Sequence, residues 1–364
     1  MSGVRIISVV GARPQFVKLA PVDAAFREIG IEHVIVHTGQ HYDPMLSDVF
    51  FDDLGISAPD VHLGVGSGSH GVQTGAMLAA LDEVIADRRP DRVLVYGDTN
   101  STLAGALSAV KLHVPVAHLE AGLRSFNRAM PEEINRVLTD HAADLLLAPT
   151  DVAAAHLANE GLADRTVVVG DVMTDVLLSV RDSVADSPSP VAAELGLPDG
   201  GYSLATIHRA ENTDDPGRLR AILDALADVD HPVVLLAHPR LAAKCAAHGL
   251  PLEDAGNLRV HPPLAYPGLI ASALRARGVI TDSGGLQKEA FLLRVPCTTV
   301  RPQTEWVETV ELGWNLLVEP GPALVAAASR PRPAEPAPEL AHPYGDGRAA
   351  ARVARVLLAE HLPG

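Results

Sequence analysis

The chain of 364 residues has few of the features that mark secreted, membrane or nucleic-acid-binding proteins. It contains two cysteines, Cys245 and Cys297, which form no redox or ligand motif, so a reduced cytoplasmic setting is expected. No uncharged apolar stretch reaches the ~18 residues of a membrane span, so none is expected. The sequence begins almost directly with the strand-like residues 4–10, and a signal peptide is not expected either. The formal net charge of -16 argues against a nucleic-acid partner, although local basic groups can still bind a small anion.

Aromatic residues are also scarce, at 4%, whereas hydrophobic residues of all kinds make up 47% of the chain. Leucine, valine and alanine must therefore fill the cores. A chain of this length favours two domains over one, because single cores stop growing at about 250–300 residues.

Short apolar, β-branched runs alternate with longer helix-like segments. The predicted strands are residues 4–10, 33–37, 92–96, 114–118, 145–148 and 166–169 in a first series, and 202–207, 232–236, 278–281, 297–300 and 315–318 in a second series. Near-continuous apolar strands separated by amphipathic helices are typical of parallel sheets covered on both faces. The sequence therefore predicts an α/β protein with two doubly wound, Rossmann-like domains.

The domain boundaries follow from the same pattern. Residues 1–170 plus 345–364 are predicted to form the N-terminal domain, and residues 171–344 the C-terminal domain. Residues 329–343 are too rich in proline for a helix or strand and read as a linker. The helix predicted beyond them, to about His361, is expected to return to the first domain.

Two segments of the first domain have the composition of ligand-binding loops. Arg13 follows the first strand, and Lys18 lies about one turn into the next helix, which suits a phosphate or pyrophosphate. The alternative is a tight turn with exposed basic residues. The Gly/Ser-rich residues 64–71 do not directly follow a strong strand and predict a flexible loop that leads into a helix.

Carboxylates follow two strands of the first domain and begin one helix. Asp98 closes a strand, Glu120 follows the next, and Glu132 and Glu133 lie in what looks like the first turn of a helix. Each alone is more often structural: Asp98 suits a helix N-cap, and acidic residues are favoured in any first helical turn. Together they favour acid/base chemistry, because ligands bind at the carboxyl ends of parallel strands.

The second predicted domain also has polar and glycine-rich residues directly after its strands. His208 follows its first strand and suits an acid/base group or a phosphate donor, with a plain turn histidine as the alternative. Ser283, Gly284 and Gly285 open a helix and expose backbone N–H groups to an anion, with Glu289 placed to accept from ribose hydroxyls. No His, Cys or Asp spacing resembles a metal site.

Taken together, these motifs resemble the non-hydrolysing UDP-N-acetylglucosamine 2-epimerase family over nearly the whole chain. The matching segments are residues 11–14, 38–41, 97–99, 118–124, 131–136, 208–209, 282–289 and 304–305. The resemblance implies the two-domain GT-B architecture with the active site in the interdomain cleft. It implies catalytic positions at Asp98, Glu120, Glu132 and His208, and substrate- or UDP-binding positions at Arg13, Lys18, Arg136, Leu269, Ser283, Gly284, Gly285 and Glu289.

The implied reaction is reversible C2 epimerisation of UDP-N-acetylglucosamine to UDP-N-acetylmannosamine. It proceeds by elimination and re-addition of UDP through a 2-acetamidoglucal, with no metal and no other cofactor. The expected partner is the UDP-sugar substrate, with neither nucleic acid nor membrane, and the family suggests a homodimer.

Two departures from the family pattern bear on regulation and substrate. Where allosterically activated members carry a glutamine and an arginine, this chain has Asp43 and the Gly/Ser run at 67–69, so such activation is not expected. Gln15 and residues 42–44, 67–70 and 304–309 instead look like the branch that includes epimerases of UDP-2,3-diacetamido-glucuronic acid. A hydrolysing 2-epimerase, a GT-B glycosyltransferase and a non-catalytic sugar-nucleotide sensor remain as alternatives.

Overall fold

A computed structural model describes residues 3–40 and 56–359, except for the side chains of Arg13 and Glu339. His41 and Asp43, which the motif analysis singles out, lie outside the described residues. The chain divides into two compact units. Unit 1 comprises Met1–Val176 and Pro343–Gly364, and unit 2 comprises Leu177–His342. The domain limits at residues 170 and 344 stay a prediction.

Each unit is built on one parallel sheet. The strands of unit 1 are β1 Arg5–Val10, β2 Glu32–His37, β3 Val61–His62, β4 Arg92–Tyr96, β5 Val116–Leu119, β6 Leu145–Ala148 and β7 Thr166–Val168. Those of unit 2 are β8 Ser203–Thr206, β9 Val233–Leu236, β10 Leu258–His261, β11 Gly278–Thr281, β12 Cys297–Thr299 and β13 Asn315–Leu317. The spatial orders are β3-β2-β1-β4-β5-β6-β7 and β10-β9-β8-β11-β12-β13, so both sheets are doubly wound.

Helices connect the strands. They are α1 Arg13–Ile29, α2 His70–Arg88, α3 Asn100–Lys111, α4 Pro131–Ala142, α5 Asp151–Asn159, α6 Val172–Ser183, α7 Pro190–Leu195, α8 Ala210–Thr213, α9 Pro216–Asp228, α10 Pro239–His248, α11 Tyr266–Leu274, α12 Gly284–Leu292, α13 Val307–Glu311, α14 Pro322–Ala328 and α15 Ala349–Ala359. Short 3-10 turns span Ala163–Arg165 and Pro338–Leu340. None of the helices in the described part of the chain combines the length and apolar character that a membrane crossing needs.

Apolar side chains cover both faces of the unit 1 sheet. One core contains Ile6 and Leu94 with residues of α1 and α15, and the other contains Ile7 and Val93 with residues of α2, α3 and α5. Alternate residues of each strand point to opposite faces, so a strand that is covered on both sides must be apolar throughout.

The helix predicted beyond the proline-rich linker returns to the first unit. Helix α15 packs on α1, and Val353 and Leu357 share a core with Leu19 and Val22. Its first two backbone amides donate to Asp175, at 3.0 and 2.8 Å. The expected return of this helix is confirmed.

The strand predictions are confirmed for eleven strands and miss two. Strand β3 has two residues, neither of them fully buried, and β10 has the sequence Leu-Arg-Val-His with a half-buried middle. Both lie at sheet edges, where the polar side chains they carry reach solvent and no continuous apolar run forms. The Gly/Ser segment is confirmed as a loop that leads into helix α2.

Candidate active site

The carboxyl ends of β4 and β5 carry two acidic residues of unit 1 into one region. Gly97, at φ +63°, turns the chain after β4, and Asp98 follows it. The N-cap of the next helix is Thr99, whose hydroxyl accepts from Thr102 N at 3.3 Å. The N-cap interpretation of Asp98 is therefore wrong, because Thr99 already fills that position and Asp98 has another partner.

That partner is Arg136 on α4. Its guanidinium pairs with Asp98 and, at 2.8 Å, with Glu133. Burial acts to lower the pKa of Arg136, but Asp98 and Glu133 outweigh it and the net direction is upward. Asn135 adds a hydrogen bond to the Asp98 carbonyl oxygen at 3.0 Å. The start of α4 thus fixes the turn that carries Asp98.

Glu120 lies beyond the end of β5 with its backbone in the left-handed region, at φ +73°. A non-glycine residue in this conformation is strained, and such strain concentrates at functional sites. Its carboxylate pairs with Lys18 of α1, and both side chains are largely buried. Burial acts to lower the pKa of Lys18, but Glu120 outweighs it, so the pKa is raised and the pair is ionic. The reading of Lys18 as an exposed basic residue is wrong.

Gly97 lies between the Asp98–Arg136 pair and the Glu120–Lys18 pair, and close to the second. A Cβ atom added to Gly97 would lie 3.1 Å from Glu120 Oε2 and 3.3 Å from Lys18 Nζ. Asp98, Glu120, Arg136 and Lys18 therefore form one cluster of alternating charge beside the turn. Of Arg13, the remaining basic residue predicted here, the structure describes no side chain.

Glu132 and Glu133 lie in the first turn of α4, as predicted, but in different surroundings. Glu132 is exposed and makes no hydrogen bond or ion pair within the described part of the chain. The Glu133 side chain is 4% exposed and accepts from Ser125 N, Ser125 Oγ and Phe126 N at 2.9 to 3.0 Å. Burial acts to raise the pKa of Glu133, but these bonds and Arg136 lower it overall.

Sequence reasoning missed the anchoring role of Glu133. The spacing of Glu133, Arg136 and Asp140 places them on one face of α4, and this periodicity was the available signal. It also missed His118, which is fully buried between Asp140 and Gly97.

In unit 2, the ends of β8, β9 and β11 surround a cavity of about 290 Å³. Its lining includes His208, Leu269, Ser283, Gly285 and Glu289 among the predicted residues. The lining combines apolar side chains with a few polar groups, as in sites for small molecules.

Helix α12 begins at the edge of this cavity. Gly284, its first residue, leaves room for the Glu305 carboxylate, since an added Cβ would lie 2.4 Å from Glu305 Oε1. Arg301 pairs with Glu305 at 3.0 Å. Glu289, five residues after the start of α12, accepts from the Tyr266 hydroxyl at 2.8 Å. Burial and the Glu289 charge raise the pKa of Tyr266, so it remains a donor.

Asp282 organises the turn that carries His208. It is fully buried and accepts from His208 N, Arg209 N and Asn212 Nδ2 at 2.9 to 3.1 Å. Burial lowers the pKa of His208, the Asp282 carboxylate opposes this, and His238 adds to the lowering. The imidazole is therefore neutral near pH 7 and can donate or accept a proton.

The acidic and histidine side chains of the described residues are not arranged as the ligands of a metal ion. Within residues 3–40 and 56–359, no three His, Cys, Asp or Glu side chains cluster as they would around a metal ion.

Two curated relatives match this chain over most of its length. UDP-2,3-diacetamido-2,3-dideoxy-D-glucuronate 2-epimerase of Pseudomonas aeruginosa is 48% identical over 97% of this chain and 99% of its own length. A UDP-N-acetylglucosamine 2-epimerase homolog of Methanococcus maripaludis is 48% identical over 86% of this chain and 88% of its own.

Among solved structures, UDP-GlcNAc 2-epimerase of Methanocaldococcus jannaschii in complex with UDP-GlcNAc and UDP matches with a TM-score of 0.81 and 38% identity. The match covers 98% of this chain and all of that one. The two sheets and this neighbour confirm the predicted fold class, α/β of the GT-B type with two Rossmann-like parts. A family model described as UDP-N-acetylglucosamine 2-epimerase matches residues 24–358. The chain therefore belongs to the UDP-N-acetylglucosamine 2-epimerase family.

Proposed function

We propose that this chain is a non-hydrolysing epimerase that inverts C2 of UDP-N-acetylglucosamine to give UDP-N-acetylmannosamine. The observation that carries the proposal is the pair of carboxylates, Asp98 and Glu120, held beside Arg136 and Lys18 at the carboxyl edge of a parallel sheet. Relatives with this activity, such as the M. jannaschii enzyme, are 36–38% identical over nearly the whole chain.

The chemistry explains why carboxylates are needed. The C2 proton of the substrate is not acidic, because no carbonyl group is adjacent to C2. When UDP leaves C1, positive charge develops on the ring and the C2–H bond becomes acidic. Loss of that proton gives 2-acetamidoglucal and UDP, and re-addition with protonation on the other face gives the C2 epimer. Each step is redox-neutral, so the reaction needs no nicotinamide cofactor.

Unit 1 supplies the groups that manage charge and protons. Asp98, Glu120 and Glu132 stabilise the cation-like state at C1 and move the C2 proton. Lys18 pairs with Glu120 and Arg136 pairs with Asp98, and these contacts orient the two carboxylates. Glu132 can meet the substrate because it is exposed and makes no hydrogen bond or ion pair among the described residues.

Unit 2 supplies the nucleotide site. The N-terminal amides of α12, at Ser283 to Gly285, face an anion with the positive end of the helix and suit the diphosphate. His208 at the same cavity donates to a phosphate oxygen or transfers a proton. Glu289 accepts from the ribose hydroxyls, and the segment of Leu269 holds the uracil. Firm anchoring of UDP keeps it in place for re-addition.

An exchange experiment in D2O tests the proposal. The protein is incubated with UDP-N-acetylglucosamine and the products are followed by NMR. We expect deuterium at C2 of an intact UDP-sugar and the appearance of UDP-N-acetylmannosamine. Glu120→Gln should lower the exchange rate at least about 100-fold, the scale of a lost acid/base group, while leaving UDP binding intact. Glu32→Gln is the matched control, because Glu32 also pairs with a cation, Arg5, but at the opposite edge of the sheet.

Other outcomes identify other functions. Free N-acetylmannosamine with UDP would mean a hydrolysing epimerase, and no exchange with any UDP-N-acetylhexosamine would reject UDP-N-acetylglucosamine as the substrate. A transferase would consume the UDP-sugar only with an acceptor and without exchange at C2.

A second candidate substrate is UDP-2,3-diacetamido-2,3-dideoxy-D-glucuronic acid. It is favoured by the 48% identity to the P. aeruginosa epimerase, against 38% for the M. jannaschii UDP-GlcNAc enzyme, both over almost the full chain. The same D2O assay with this sugar nucleotide decides between the two: the substrate with the higher kcat/KM is the natural one.

We also propose that the enzyme works in the cytoplasm as a homodimer. Both cysteines are buried free thiols, which suits a reducing compartment. Analytical ultracentrifugation tests the dimer.

A further inference from the structure

A chain of buried charges lies behind the turn that carries Asp98. His118 Nδ1 lies 2.6 Å from Asp140, Asp140 lies 2.7 Å from Arg124, and Arg124 binds Glu160 through two bonds of 2.7 and 2.8 Å. The side chains of His118 and Asp140 are 0% exposed and that of Arg124 is 1% exposed. At the other end of the chain, His118 Nε2 lies 2.7 Å from the carbonyl oxygen of Gly97.

Both partners of the His118 ring can only accept. A carbonyl oxygen has no proton to give, so Nε2 must donate to Gly97. Asp140 also accepts from Arg124 and, at 3.1 Å, from Gly122 N, so its carboxylate is ionised and Nδ1 must donate as well. An imidazole ring that donates from both nitrogens carries a positive charge.

The Gly97 peptide links this chain to the reactive carboxylates. Strand pairing sets Val95 opposite His118, so the imidazole lies beside the turn that begins at Gly97. A Cβ atom added to Gly97 would touch the Glu120–Lys18 pair, so this pair lies directly against the Gly97 Cα. The residue that follows Gly97 is Asp98. A shift of this peptide therefore moves both carboxylates.

We propose that His118 is a positioning residue: held as an imidazolium by Asp140, it fixes the Gly97 carbonyl and thereby the placement of Asp98 and Glu120. The inference rests on the proposed epimerase function, in which these two carboxylates act on the substrate. His118 itself lies too deep to touch the substrate.

His231 in unit 2 provides a matched comparison. Its Nδ1 lies 2.6 Å from Asp230 and its Nε2 lies 2.7 Å from Ser203 Oγ, which repeats the His118 distances. A serine hydroxyl can donate as well as accept, so His231 can lose a proton without losing a bond. His118 has no such partner.

The first test is NMR of the wild-type protein with 15N-labelled histidine rings, and it needs no activity. We expect both ring nitrogens of His118 to resonate as N–H near neutral pH, because both of their partners can only accept. The charged groups nearest the ring are Asp140, Arg124 and Glu160, with His141 paired to Glu160 and with Glu120 and Lys18 beyond Gly97. An unprotonated nitrogen on His118 near neutral pH would overturn the inference. His231→Gln and His118→Gln spectra assign the two resonances.

The second test is the C2 exchange assay. His118→Gln keeps a donor but loses the charge and one bond, and we expect kcat to fall about 100-fold, as for a displacement of about 1 Å in a reacting group. UDP affinity should stay at the wild-type value, since the nucleotide binds unit 2. His231→Gln should keep wild-type kcat.

The outcomes separate this inference from the proposed function. Wild-type turnover in His118→Gln, or an equal loss in His231→Gln, would reject the positioning role while the epimerase function stands. An inactive wild-type protein would reject the function. If His118→Gln does not fold, the ring resonances of His118 are assigned in the wild type by through-bond correlation to its backbone, and the ring spectrum then decides.

Discussion

The two adjacent glutamates at the start of α4, Glu132 and Glu133, lie in different surroundings and should respond differently to the same substitution. Glu132→Gln and Glu133→Gln remove the same charge from neighbouring positions of the same helical turn. The structure assigns them opposite effects, because Glu132 is exposed and Glu133 is enclosed. The two variants therefore control for each other.

The magnitude follows from the contacts of Glu133. Its carboxylate accepts from Ser125 N, Ser125 Oγ and Phe126 N and pairs with Arg136 at 2.8 Å. Removing one partner of a buried ion pair costs about 3–5 kcal/mol, and glutamine keeps one acceptor oxygen, so we expect about 3 kcal/mol. For a domain of about 150–250 residues, at about 2–4 °C per kcal/mol, the melting temperature of unit 1 falls by about 6–12 °C.

The pH dependence has a definite sign. The pKa of Glu133 is lowered in the folded protein, since its hydrogen bonds and Arg136 outweigh burial. The ionised form therefore contributes stability that is fully present above the unfolded pKa of about 4.5 and is lost as the pH falls through the lower folded value. The difference in melting temperature between wild type and Glu133→Gln should be largest near neutral pH and shrink in acid.

Differential scanning calorimetry of the wild type and both variants, near neutral pH and in acid, measures this. Glu132→Gln should melt within the range of a surface substitution, about 0.5 kcal/mol, yet lose C2 exchange. If Glu133→Gln melts with the wild type, or Glu132→Gln is the destabilised variant, the reasoning about this helical turn is refuted.

Three further predictions concern other parts of the two units. Gly97→Ala should lower kcat strongly with UDP affinity unchanged, because the new Cβ would lie 3.1 Å from Glu120 Oε2 at a φ of +63°; exchange kinetics and calorimetric UDP titration measure both. Tyr266→Phe should weaken UDP binding by up to about tenfold, since Glu289 loses a hydrogen bond worth about 0.5–1.5 kcal/mol; the same titration applies. Asp175→Ala should destabilise unit 1 by about 1 kcal/mol, because α15 loses the cap of its first two amides, and urea unfolding measures this.

Contrary results are equally definite for these three. Wild-type kcat in Gly97→Ala would mean that the turn tolerates a displaced Glu120. Unchanged UDP affinity in Tyr266→Phe would remove Glu289 from the nucleotide site as proposed. A stable Asp175→Ala would show that packing alone holds α15.

Much of the fold could be predicted because a strand covered on both faces must be apolar throughout. Strands β1, β4, β5 and β6 are of this kind and stand out in the sequence. Strand β10 could not be recognised, since its pairing with β9 rather than its composition makes it a strand.

The candidate site was predictable only in outline. The positions of Asp98 and Glu120 could be predicted, because each follows an apolar run that marks the end of a strand. The partner of Asp98 depends on how α4 packs against the sheet. The pairing with Arg136 and the burial of Glu133 therefore cannot be predicted from the residues next to them in the sequence. The contact of His118 with Gly97 depends on the register of β5 against β4, which only the assembled sheet defines.

Unit 1 is built from two separate segments of the chain, and this affects the order in which its parts are synthesised on the ribosome. All seven strands of this unit are synthesised before unit 2, but α15 is synthesised after it. At about 5–20 residues per second, the stretch between β7 and α15 takes on the order of 10 to 40 seconds to translate. Throughout that interval α15 does not yet exist, so we expect the surface of α1 that Val353 and Leu357 later cover to remain uncovered. All residues of unit 2 are thus synthesised before those of unit 1 are complete, and we expect unit 1 to be the part that needs protection from aggregation during translation.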